Sequence, residues 1–186
     1  MVIDYNREKL MNAIVFFVRN TKHCHTLKLF KLLSFLDFEH YRQTGRPVTN
    51  LTYQALPKGP VPCELFETIK SGKGDLFDFI KINEIKDELS GQLLLREIKA
   101  KKKFDDKYFT TRELEIMERI SLFFKELKAE DMSEFSHDPK MPWTKVFKKG
   151  EGTGETIPFE LAFSSTPIVK EENTIEPDEL EFLKQA

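Results

Sequence analysis

Two histidines flank a cysteine at His23-Cys24-His25, and a second cysteine stands at Cys63. Imidazole and thiolate are ligands that zinc takes readily. In an extended stretch, however, the two histidines share one face while Cys24 points to the other, and a helix separates them as well. No CxxC pair, HExxH or second spaced cluster accompanies them. The segment reads as a polar inter-helix loop with a buried free thiol, and neither a metal nor a cofactor is expected.

Nucleophilic chemistry has no firmer basis. Cys24 beside histidine invites a lowered pKa, and Ser136 stands next to His137, but adjacency along the chain does not create hydrogen-bond geometry. No separate base or oxyanion loop is recognisable. Gly150-x-Gly152-x-Gly154 has phosphate-loop spacing without the preceding strand, following helix and lysine that make such a loop work. The chain is not expected to be an enzyme.

The strongest local charge feature is the run Lys99, Lys101, Lys102, Lys103 and Lys107. Counterion release gives such a patch affinity for nucleic acid, yet no helix-turn-helix and no alternating aromatic platform accompanies it. A solvated hairpin end is the favoured reading, and nucleic acid is a disfavoured partner. The net charge of −2 supplies no global attraction for polyanions or anionic membranes. Two cysteines without an amino-terminal apolar signal core point to the reducing cytoplasm. The apolar run at residues 13–18 is too short to cross a bilayer, so no membrane partner is expected.

These groups must be positioned by elements that the pattern outlines. With 186 residues, 40% hydrophobic content and seventeen phenylalanines, one soluble domain with a Phe-rich core is expected over residues 1–165. A helix over residues 6–20 gathers Leu10, Ile14 and Phe17 on one face. The next, over residues 26–43, is apolar around most of its circumference and belongs at the centre of a bundle; Thr26 is its expected N-cap and Gly45 its left-handed stop. Asp37 and His40 interrupt that apolar surface, and a satisfied structural network is the favoured account of them.

Residues 51–55 read as extended, and Gly59-Pro60-Val61-Pro62 as a tight re-entry into another helix. Residues 76–82 and 92–98 read as hairpin strands, with 51–55 a candidate third strand. Thr110-x-x-Glu113 is a capping box ahead of a helix with Ile116, Ile120, Phe123 and Leu127 on one face. A helical turn at residues 133–137 is broken by prolines, after which Trp143, the only tryptophan, should lie as a lid on the core; residues 150–155 read as flexible. Residues 166–186 read as an acidic linker and a short carboxy-terminal helix starting near Glu176. The expected fold is α+β, mostly α-helical, with a small antiparallel β-sheet or hairpin.

One combination is distinctive. Leu32-Leu33-x-Phe35-Leu36-Asp37-Phe38-Glu39-His40-Tyr41 is followed by Gly45-Arg46-Pro47-Val48-Thr49, Leu51-Thr52-Tyr53 and Gly59-Pro60-Val61-Pro62. Ser136-His137, Pro142-Trp143 and Ile157-Pro158 form a later block. Together these resemble the SocA-like antitoxin domain, also called the Panacea domain, of bacterial toxin-antitoxin modules and phage-associated proteins. The resemblance spans residues 6–163. It implies a protein that neutralises a cognate toxin by direct binding; the alternatives are an adaptor that delivers the toxin to a cytoplasmic protease and a DNA-binding regulator of a phage or toxin-antitoxin operon. The partner-binding or motif positions are Asp37, His40, Tyr53, Gly59, Pro60, Val61, Pro62, His137 and Trp143, and of these the Gly59–Pro62 corner with Tyr53 and Trp143 is expected to fix or border a partner-binding face.

Overall fold

A computed structural model describes residues 4–168. Helix α1 (Tyr5–Asn20) starts at Asp4, whose side chain accepts the Arg7 N–H, and buries every residue from Leu10 to Phe17. Helix α2 (Thr26–Thr44) is the centre of the molecule. All of its residues from Lys28 to His40 are buried, and it stops where Gly45 takes φ 72° and returns its N–H to Tyr41 O.

Thr26 is not the N-cap of α2; His25 holds that position with extended backbone and no side-chain cap. The cause is tertiary. Cys24 O accepts the N–H of Ile98 and His25 bridges Glu97, so a sheet edge keeps the chain straight through residue 25. Thr26 is drawn into the first turn, where its Oγ1 is buried without a partner among the described residues.

Strands β1 (Tyr53–Leu56) and β2 (Gly59–Pro62) form an antiparallel hairpin in the register Tyr53↔Pro62 to Leu56↔Gly59. The Gly-Pro-Val-Pro segment is therefore a strand, not a bare corner. Its prolines face Ala55 and Tyr53, whose backbone groups point away from β2: Ala55 bonds Gly154 and Glu155, and Tyr53 O accepts from Ile157. A missing proline N–H costs the hairpin nothing at such positions. The same bonds hold the glycine-rich 150–155 stretch on β1, so it is a tethered turn where a flexible one was expected.

After α3 (Cys63–Ser71), the chain makes a helical turn, α4 (Leu76–Phe79), where a strand was expected. Three-residue spacing sends both Leu76 and Phe79 into the core, whereas a strand would put them on opposite faces. Strands β3 (Ile80–Lys86) and β4 (Leu93–Ala100) make a second, separate antiparallel hairpin, which β1 does not join. Helix α5 (Thr111–Phe123) has the expected reciprocal Thr110/Glu113 capping box. Leu127 lies beyond its end, and Phe124 is buried while Phe123 stays at the surface.

Short helices α6 (Ser133–Ser136) and α7 (Pro142–Phe147) precede a 3-10 helix (Phe159–Ser164) lying on α2. Ile168 is buried and donates its N–H to Glu39. The expected carboxy-terminal helix lies outside the described residues. The whole is α+β and mostly helical, with two small antiparallel sheets, and no described helix is long and apolar enough to cross a membrane.

Candidate functional site

Asp37 sits fully buried in the middle of α2 and gathers four donors. Its Oδ1 accepts the N–H groups of Val48 at 2.8 Å and Thr49 at 2.7 Å; its Oδ2 accepts the Thr49 hydroxyl and, at 2.7 Å, the Tyr53 hydroxyl. Burial pushes the carboxyl upward, opposed by the hydrogen bonds from Thr49, Tyr53 and Val48. The Tyr53 phenol is itself driven well above its ordinary range by burial and by Asp37. One turn on, His40 Nδ1 lies 2.6 Å from Arg46 O; a carbonyl only accepts, so Nδ1 carries the proton. Asp37 and His40 thus clamp the loop from α2 to β1.

That loop delivers the β1–β2 hairpin, whose far end is fixed by Trp143. The indole Nε1 donates to Leu56 O at 2.9 Å. Trp143 also stacks with His137, centroids 4.1 Å apart, and with Phe147 at 4.5 Å. Trp143 is buried, as the lid expectation required, but Pro57 and Lys58 of the turn and His137 on the tryptophan are exposed. Tyr53, Gly59, Pro60, Val61 and Pro62 are all buried. Asp37, Tyr53, the Gly59–Pro62 strand, Trp143 and His137 therefore belong to one connected assembly, while His40 stands apart on the Arg46 carbonyl.

A further member of this assembly, which no sequence motif marks, is Lys31. Its Nζ is buried in the core and donates to Ser136 Oγ at 3.0 Å. Burial pulls the amine down to about 8, partly countered by Glu130. Gly59 lies directly over it: with φ +126°, a Cβ there would come within 2.9 Å of Lys31 Nζ. The available signal was a pair of lysines, Lys28 and Lys31, three residues apart in an otherwise apolar helix. Lys28 is equally buried but reaches the carbonyls of Lys22, Lys125 and Leu127. Burial and the nearby Lys31 ammonium together lower His137.

An amine beside a serine is the arrangement of a general base and a nucleophile. Here Lys31 is fully buried and Ser136 is 1% exposed, so a substrate carbonyl has no approach in this conformation. Burial raises the Cys24 thiol to about 12 and thereby suppresses the thiolate. Among the described residues no group of three or more His, Cys, Asp or Glu side chains could hold a metal ion. Four of the five lysines of the basic run are engaged locally: Lys99 pairs with Glu97, Lys101 bonds Phe77 O, Lys102 covers the Phe79 ring and Lys107 pairs with Asp105.

The family model of the antitoxin SocA-like, Panacea domain matches residues 29–144, from α2 to α7, a stretch that contains every residue expected at the partner-binding face. No curated protein and no solved structure matches the chain.

Proposed function

Because this chain belongs to the SocA-like antitoxin, Panacea domain family, we propose that it neutralises a cognate toxin in the cytoplasm by direct protein-protein contact through the exposed end of the β1–β2 hairpin. The observation that carries this reading is the double anchoring of that hairpin. Asp37 holds its start through Tyr53, and Trp143 Nε1 holds its end through Leu56 O. A turn fixed at both ends loses little conformational freedom on binding, which leaves more of the contact energy as affinity. Pro57, Lys58 and His137 supply the contact surface, with the Trp143 and Phe147 rings stacked behind His137.

The buried residues act on shape. Tyr53 and the Gly59–Pro62 strand set where the turn stands and do not touch the partner. A specific complex of this kind buries roughly 1,200–2,000 Å² in total, so the turn is the centre of a larger footprint.

Co-expression with the toxin encoded by a neighbouring reading frame tests the proposal. The full chain should restore growth and co-purify with the toxin. Lys58→Glu combined with His137→Ala should abolish both while the chain stays folded, with only the small loss of melting temperature that removing the ring stacked on Trp143 brings. Undiminished rescue by that variant would remove the hairpin end from the binding face.

A further inference from the structure

A different part of the molecule is built to receive a ligand of another shape. The β3–β4 hairpin has two edges, and the hydrogen-bond parity shows what each presents. Ile98 of β4 donates its N–H outward to Cys24 O, so its cross-strand partner Ile82 turns its own N–H and C=O away from β4. Two residues further, Glu84 does the same, and so does the Ile80 carbonyl, while the Ile80 N–H closes the α4 turn onto Leu76 O. The outer edge of β4 is thus occupied at Glu97 and Ile98 by the Cys24-His25 segment. On the β3 edge, the outward groups of Ile82 and Glu84 have no partner among the described residues.

A cleft of about 420 Å³ runs along that β3 edge toward the end of α3. Its apolar part is buried Ile69 with half-buried Phe77 and Ile82. Lys70, Lys81 and Lys101 stand exposed around it, Lys70 with Glu67 3.9 Å away and Lys101 with its ammonium on Phe77 O, while Glu84, its one acid, is shared between Arg96 at 3.1 Å and Lys86 at 3.5 Å. The field in the cleft is therefore positive. Beyond it Ile85, Leu89 and Leu94 leave apolar surface on the same hairpin exposed.

We infer that the free edge of β3 and the end of α3 form a docking groove in which an extended, acidic segment of a partner protein adds as a third strand. Main-chain bonds to Ile82 and Glu84 fix its register, the apolar cleft takes alternate side chains, and the lysines select carboxylates at the others. Edge lysines also discourage indiscriminate pairing, because a neutral or basic strand would bury their charge without compensation. The distance from Ile80 to Glu84, about 13 Å of strand, suits a segment of roughly five residues. The inference is independent of the toxin-binding reading, which uses the other hairpin.

The test uses the full chain and three capped eight-residue peptides: alternating valine-glutamate, alternating valine-lysine, and the valine-glutamate peptide N-methylated at every second amide. Binding is read by fluorescence anisotropy and by amide shifts of Ile82 and Glu84. The acidic peptide should bind at least tenfold tighter than the other two and move both amides. Glu84→Pro, which removes an outward N–H and no β3–β4 backbone bond, should weaken it at least tenfold, whereas Glu84→Gln, which loses only the ion pairs with Arg96 and Lys86, should not; Lys70→Glu with Lys81→Glu should weaken it at least tenfold with melting unchanged. Equal binding of the methylated peptide would overturn strand addition, and equal binding of the basic peptide would overturn the charge selection. A tenfold gain in affinity on Asp178→Asn, Glu179→Gln and Glu181→Gln would mean that the chain's own acidic segment fills the groove, which overturns the partner assignment.

Discussion

The phenolic hydroxyl of Tyr53 donates to Asp37 Oδ2 at 2.7 Å, tying the first residue of β1 to the middle of α2. The two groups differ in what depends on them. Tyr53→Phe removes one donor of four and keeps the ring against Phe38, so it should cost about 1–2 kcal/mol. Asp37→Ala strands the N–H groups of Val48 and Thr49 in the core and should cost roughly 3 kcal/mol or more. Urea denaturation of both variants checks the order; equal losses would mean that the backbone donors are satisfied by other means.

Lys31 makes a pH prediction with a definite sign. Its folded value lies near 8 and its ordinary value is 10.5, so between these the unfolded chain binds more protons and stability climbs with pH, by up to about 3 kcal/mol. Cys24 works in the opposite sense from pH 9 upward, because the folded thiol keeps its proton until about pH 12. The difference between the native chain and Lys31→Met cancels the cysteine. That variant should be the more stable below pH 8, with its advantage gone by about pH 10.5. Denaturation at pH 7, 9 and 10.5 measures it.

Gly59→Ala should destabilise by about 2 kcal/mol, since φ +126° suits only glycine and the added Cβ meets Lys31 Nζ at 2.9 Å. Lys31→Met in the same chain relieves the second cost and not the first. A double-mutant cycle should therefore show positive coupling with incomplete rescue. Zero coupling would place the whole penalty in the backbone.

The cysteines should separate cleanly by reactivity. Cys24 is 4% exposed with its thiol raised to about 12, whereas Cys63 is half-buried at the start of α3, its thiol raised by burial and by Glu67 but within reach of reagent. Brief alkylation of the native protein should add one group, at Cys63, and alkylation in denaturant should add two. Mass spectrometry of the digested protein reads both; native labelling at Cys24 would show that its loop opens.

Much of the helical frame was legible because the cues are local. The Gly45 stop and the Thr110/Glu113 capping box act within a few residues of themselves, and the apolar circumference of α2 announces its central place. The family's motif blocks were legible for the same reason: glycine and proline restrict the backbone wherever they stand. The errors fell where a distant partner decided. Leu76 and Phe79 suit a strand by composition, and only the core beneath them selects a helical turn. Residues 150–155 look free until β1 takes their backbone groups.

Composition and local punctuation alone established a mostly helical α+β chain of one recognisable family, with a carboxylate inside its central helix that needed partners. Tertiary structure decided who those partners are, that Lys31 lies beneath Gly59, and which edge of the second hairpin remains open. The division has a physical cause: propensity and capping act over one helical turn, whereas hydrogen bonds such as Asp37 to Tyr53 or Lys31 to Ser136 join groups 16 and 105 residues apart and exist only once the core has closed.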